Sequence, residues 1–181
     1  MRSQDIYQLL TELGSELEHL GLDDTLEIMM IGGAYMLTHL QNRDFTEDID
    51  IFPLNFQITS STSKVTKTVQ KAIRAVAKRY GLRKDWMNDV AASMLGGLGP
   101  EPELELWMTS GKLRVYVPSS EYILAMKLFA DREKDGDDIE ALCQQLRVET
   151  RDQAQAILDR YVYQRWQIEY NVRRTLEKRF P

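Results

Sequence analysis

The sequence holds a single cysteine, Cys143, so no disulfide can form within the chain, which suits a reducing compartment. That residue lies in the apolar-faced stretch IEALCQQL, away from either histidine, and reads as core filler rather than a nucleophile. No apolar run approaches the ~20 residues needed to span a bilayer, so no membrane partner is expected. The opening MRSQDIYQLL has no continuous apolar stretch of the signal-peptide kind, and the expected location is cytoplasmic. Histidine is scarce too. His19 and His39 lack Cys or His partners at ligand spacing, which argues against zinc. Glycine and proline are too scattered to make a linker, and no repeat is visible. The most telling absence is local: between Asp50 and Asp85 there is no acidic residue, although the chain as a whole carries a net charge of −5.

What is present suits one well-buried core. With 181 residues and 43% hydrophobic content, the expectation is a single domain over 1–181. Its sheet-containing core would run over about 1–118 and its helical part over about 119–181. Ile6, Leu9, Leu10, Leu13, Leu17 and Leu20 recur at helical spacing up to Gly21. LEIMMI (26–31) reads as a strand ending in Gly32-Gly33, and AYMLTHL (34–40) as helix. DIDIF (48–52) alternates as a half-buried strand does. Residues 61–80 predict a long helix closed by Gly81, followed by an irregular stretch to Pro100. LELWM (104–108) and LRVYV (113–117) predict a hairpin. Pro118-Ser119-Ser120 caps a helix to about Arg132, and a further helix covers 137–147. Thr150 to Gln153 forms a capping box for a helix continuing to the C-terminus, with Tyr161, Tyr163, Trp166 and Tyr170 as its packing face. The fold class is α/β (α+β): a mixed sheet flanked by helices, with helical C-terminal additions.

Two features carry chemistry. Gly32-Gly33 joins a strand directly to a helix, letting the backbone approach a ligand closely. Asp48 and Asp50 then flank Ile49, so both carboxylates project from one strand face while Ile49 and Ile51 point to the core. Two adjacent carboxylates repel unless a cation lies between them, and hard divalent cations prefer oxygen ligands. Alone, the first feature reads as a tight turn and the second as a solvated strand face.

Together they resemble the signature of polymerase-β-superfamily nucleotidyltransferases. The pattern GG-x(9)-R-x-x-T-x-D-I-D, on Gly32, Gly33, Arg43, Thr46, Asp48 and Asp50, is similar to the first motif of AbiEii-type toxins and related uncharacterised bacterial nucleotidyltransferase-like families. A second segment, EYILAMKLFADREKDGDDIEAL (121–142), resembles their later motif and places Lys127, Arg132, Lys134, Asp135 and Asp138 on it. The resemblance implies an NTP substrate received by Gly32, Gly33, Arg43, Thr46 and Arg132. It implies Mg²⁺, in a two-metal site, on Asp48 and Asp50, with Lys127 at the phosphates and Asp135 and Asp138 in support. It further implies an acceptor that can be RNA, and a toxin–antitoxin setting with a cognate antitoxin or toxin protein. Superfamily members often carry a third carboxylate on a later strand. Here Glu103 and Glu105 would share one strand face, yet neither falls in a motif. That departure keeps two alternatives open: a non-catalytic nucleotide- or partner-binding module, and a nucleotidyltransferase antitoxin that modifies a protein.

The stretch empty of acids has its own pattern. Lys64, Lys67, Lys71, Arg74 and Lys78 fall within an arc of roughly 80° on the helix, opposite Val65, Val69, Ala72, Ile73, Val76 and Tyr80. A charge run is usually a solvated face, but such faces mix signs. A one-sign row suggests a polyanionic partner, and nucleic acid is the expected one.

Overall fold

In the computed structural model, which describes residues 1–56 and 63–180, one mixed sheet organises the N-terminal part of the chain. Its strands are β1 (Leu26–Met30), β2 (Ile49–Pro53), β3 (Met87–Asn88), β4 (Leu104–Ser110) and β5 (Leu113–Pro118), in the order β3-β2-β1-β5-β4. β1 runs antiparallel to β2 and parallel to β5, and β2 runs parallel to β3. The mixed α/β class expected from the sequence is what the chain adopts. Two compact units result: Met1–Met94 with Leu104–Val117, and Leu95–Glu103 with Pro118–Pro181.

In the first unit, helix α1 (Ser3–His19) buries Ile6, Leu9, Leu10, Leu13 and Leu17 along one stripe. Each such aliphatic side chain contributes about 1.5–3 kcal/mol of transfer free energy. Helix α3 (Lys64–Tyr80) packs against α1 and buries Val69, Ala72, Ile73, Val76 and Ala77. Ser63 caps it, its hydroxyl accepting from Thr66 N–H, and Gly81 ends it in the left-handed region. The expected helix began at Ser61, and positions 61 and 62 lie outside the described residues. Tyr80, expected on the apolar side, is 37% exposed because its hydroxyl meets Gln8 at the edge of α1. Trp86, by contrast, is 1% exposed and donates its indole N–H to the carbonyl of Ile73 in α3.

After a short helix α4 (Val90–Leu95) in the chain, the second unit is helical: α5 (Ser120–Ala130), α6 (Gly136–Leu146), α7 (Arg151–Tyr161), α8 (Gln164–Glu169) and α9 (Val172–Arg179). The capping box at Thr150 and Gln153 forms as its sequence predicts. Two expectations need correction. α5 stops at Ala130 rather than near Arg132, because Asp131 takes a left-handed conformation (φ 42) that no glycine announces. Lys127 and Arg132 therefore do not share a helix. The single C-terminal helix is in fact three, broken where Val162 is extended and where Asn171 is left-handed. Tyr163 and Tyr170, expected on a packing face, are consequently 48% and 60% exposed. Among the described residues no helix is long and apolar enough to cross a membrane.

Candidate active site

β1 delivers Ile31 to a turn in which Gly32 sits at φ +65, and a short helix α2 (Gly32–Tyr35) runs on as a π turn over Met36–Leu40. The two glycines are fixed by what lies against them. A methyl group on Gly32 would come within 3.1 Å of the Asp50 side chain and overlap its carboxylate oxygen. One on Gly33 would press on the Thr46 hydroxyl at 2.6 Å and stand 3.3 Å from the Arg43 guanidinium. The ladder adds a bond from Ile31 N–H to the carbonyl of Asp50 at 3.0 Å. Of the residues read from sequence as one motif, Asp50 thus lies against Gly32, and Arg43 and Thr46 lie against Gly33. Gly32→Ala would force a β-carbon into a left-handed site already occupied by Asp50. It is expected to cost about 1–3 kcal/mol for the backbone alone, more with the overlap. Urea unfolding measures this, and a value within ~0.5 kcal/mol of wild type, the scatter of ordinary surface changes, would show that the turn relaxes.

Asp48 falls just outside the strand, which begins at Ile49 rather than at Asp48. Its place is set by two neighbours. The Thr46 hydroxyl donates to the Asp48 carbonyl at 3.0 Å, holding the approach to β2. The Asn88 amide donates to the Asp48 carboxylate at 3.3 Å. Asn88 is also the register partner of Asp50 across the parallel β2–β3 ladder. Register partners present their side chains on the same face. Asp50, Asn88 and, through the hydrogen bond, Asp48 therefore share one face, while Ile49 and Ile51 are fully buried on the other.

Asn88 is the residue that sequence reasoning missed. Its strand is two residues long and lies in a stretch expected to be irregular. The signal was Trp86, whose carbonyl accepts from Ile49 N–H at 2.7 Å and draws the next two residues alongside β2. The hairpin does not supply the third acid. β4 lies at the opposite sheet edge from β3, three strand spacings from β2, or about 14 Å. Glu105 stands on it exposed, and Glu103 precedes the strand. Among the described residues no group of three His, Cys, Asp or Glu side chains is gathered to hold a metal. The donor set at this face is two carboxylates and one amide.

Two arginines stand near this face: Arg43 beside Gly33, and Arg83 within reach of the Asp48 charge. Arg83 is exposed and engaged by Asp85 at 2.7 Å. Its pKa is raised chiefly by that hydrogen bond and less by the charges of Glu47 and Asp48. His39, on the π turn, stacks on Tyr35 with ring centroids 4.8 Å apart and touches the Thr38 hydroxyl through Nδ1 at 2.8 Å. Burial lowers its pKa more than a backbone contact with Tyr35 and the charge of Glu105 raise it, so the ring is neutral at pH 7. That is a packed histidine.

The second motif forms a separate cluster in the helical unit. Lys127 is 5% exposed, and its ammonium lies 2.6 Å from Asp135 and 2.7 Å from Asp138. Those carboxylate residues are 2% and 1% exposed. Arg132 closes the network through Nε to Asp135 at 2.7 Å, with a side chain 48% exposed. Burial pushes the Asp135 carboxyl up, but Lys127 and Arg132 together more than offset it, leaving its pKa below the ordinary value. Two cations and two carboxylates balance. Lys127 is the buried counterion, and Arg132 is the member with surface to offer an anion.

On α3, Lys64, Lys67, Lys71, Arg74 and Lys78 are all exposed, as the periodicity predicts. The next cation along, Arg79, behaves differently: α1 holds it with Glu12 at 2.7 Å and Glu16 at 2.8 Å.

A family model described as a nucleotidyltransferase of unknown function (DUF6036) matches residues 8–174. No curated protein and no solved structure matches the chain.

Proposed function

Since the chain belongs to the family of nucleotidyltransferases of unknown function (DUF6036), we propose that it transfers a nucleoside monophosphate from a Mg-NTP to an acceptor, with RNA as the favoured acceptor. The observation that carries this reading is the meeting of Asp48, Asp50 and Asn88 on one sheet face, with Asp50 packed directly on Gly32. Magnesium suits this donor set: it is commonly held by one or two carboxylates, with substrate phosphates and water completing its shell. When bound, it would neutralise the carboxylate pair and the phosphate charge.

The chain's own residues then have distinct tasks. Gly32 and Gly33 leave room for phosphate oxygens where any side chain would strike Asp50 or Thr46. Arg43, beside Gly33, offers positive charge to the same group. Thr46 and Asn88 hold Asp48 by its carbonyl and its carboxylate. The acceptor hydroxyl oxygen bonds to the α-phosphorus, its proton passes to a carboxylate of the pair, and the bond to pyrophosphate breaks. In the second unit Arg132 is the cation suited to an anion, with Lys127 and Asp135 fixing its position. The resemblance to AbiEii-type toxins extends the reading to a cytoplasmic toxin–antitoxin pair. Growth arrest on expression, relieved by Asp50→Asn, tests that extension.

The direct test is incubation of the purified protein with each labelled NTP, Mg²⁺ and total RNA. Label in RNA, released by ribonuclease, supports the reading; label in protein instead would move the acceptor to a polypeptide. The two-carboxylate donor set favours one second reading, a nucleotide-binding module without turnover. NTP binding without label transfer would select it, and Asn88→Asp tests the donor set itself. A third carboxylate there should lower stability without metal and raise Mg²⁺ affinity at least tenfold, since like charges repel until a cation joins them. If Mg²⁺ affinity by calorimetry is unchanged, Asn88 lies outside the site.

A further inference from the structure

We propose that the outer face of α3 is a docking surface for the phosphate backbone of a base-paired RNA stem. The proposal names the acceptor class of the reading above and rests on it only in that respect.

Helix α3 buries its apolar side and turns Lys64, Lys67, Lys71, Arg74 and Lys78 outward. Among the described residues none of these five is in an ion pair. The segment just before the helix, 57–62, carries no acidic side chain. Neighbouring Arg79, by contrast, receives two glutamates from α1. Among the described residues, carboxylates thus pair with the cation next to Lys78 and with none of the row. Like charges three and four apart on a helix oppose its formation, so the row is held against its own repulsion. A chain of net charge −5 gains no attraction for polyanions from its total charge, which leaves the local row as the source.

The chemistry of the row indicates what it would read. From Lys64 to Lys78 the helix rises about 21 Å, long enough to face several successive phosphates of a duplex. Four of the five cations are lysines, compact charges without the planar fork that reads base edges. No aromatic ring stands within the row for unstacked bases; Tyr80, beyond its end, is tied to Gln8. These features suit a backbone whose bases are stacked away from the protein. Binding should be salt-sensitive and indifferent to sequence.

The test is fluorescence anisotropy with a labelled 20-base-pair RNA duplex and the full chain, between 50 and 200 mM NaCl. Five phosphate contacts predict a slope of log K against log salt of about −4.5, and Lys67→Gln/Lys71→Gln/Arg74→Gln should reduce it to about −2. At 50 mM the variant should bind at least tenfold more weakly, with an unchanged or slightly higher melting temperature. Equal affinity and equal slope in the variant would overturn the proposal. Tighter binding of poly-glutamate of matched charge than of RNA would overturn it too, in favour of an acidic protein partner. Mg-NTP binding, followed by thermal shift, keeps the two readings apart: the triple variant should retain it. Asp50→Asn should lose it while still binding RNA. RNA binding of the expected slope without any NTP binding would leave this surface standing and remove the enzymatic reading.

Discussion

Lys127→Met should destabilise the protein by about 3–5 kcal/mol, because it removes one partner from a buried ion pair and leaves the others behind. In a chain of this size that corresponds to a fall of about 6–20 °C in melting temperature. Methionine matches the aliphatic stem of lysine, so the loss is one of charge rather than volume. Asp135 and Asp138, 2% and 1% exposed, would face an interior without the ammonium. The pH dependence should change sign. In the wild type the depressed Asp135 carboxyl stabilises the fold above the unfolded value of about 3.9, and this contribution is lost as pH falls through the folded value. In the variant, burial outweighs the remaining partner and raises the carboxyl pKa. The charged form is then the penalised one, and the deficit should shrink between pH 7 and pH 5. Chemical denaturation at pH 7, 6 and 5 measures this. A deficit under ~1 kcal/mol at pH 7, as for an exposed pair, would mean that water reaches the cluster and would return Lys127 to the phosphate role that the second motif suggests.

Asp50→Asn should abolish Mg²⁺-dependent nucleotidyl transfer, by about 100- to 1,000-fold if a residue of turnover remains. Its effect on folding should be small and of either sign. The amide fits the same space against Gly32, and removal of one of two neighbouring negative charges relieves repulsion with Asp48. At a concentration of 100 times Kd, Mg-NTP should stabilise the wild type by about 2.7 kcal/mol. The variant should show none of this. A transfer rate within threefold of wild type would exclude Asp50 from the chemistry, whatever its contacts. Loss of transfer with full NTP stabilisation would place Asp50 after binding, at the acceptor step.

The motif residues were legible because their spacing encodes contacts. Gly32 and Gly33 are small where Asp50 and Thr46 lie against them, and the nineteen positions from Gly32 to Asp50 contain the partners of both glycines. The amphipathic face of α3 and the capping box at Thr150 were legible for the same reason, since each is decided within a few turns of helix. Three features escaped. β3 has only Met87 and Asn88, too few for alternation, and its pairing is imposed by the distant Ile49. The end of α5 and the start of α9 fall at Asp131 and Asn171, left-handed residues that retain a side chain and do not announce a break as glycine does. The exchange of prominence between Lys127 and Arg132 depends on burial, which periodicity cannot assign when seven consecutive residues of α5, Tyr122 to Leu128, are all buried.

Trp86 links the two surfaces of the first unit. Its indole N–H is fixed to the carbonyl of Ile73 in the basic helix, and its own carbonyl to Ile49, between Asp48 and Asp50. Two residues further on stands Asn88. The chain therefore carries an intrinsic fluorophore bonded to the strand of the acidic pair and to the inner side of the basic helix, with 1% of its area exposed to quencher. With Trp107 and Trp166, both partly exposed, replaced by Phe, its emission should be blue-shifted and insensitive to iodide. A change in that emission on adding nucleotide or RNA would give an optical readout of either occupancy without any label.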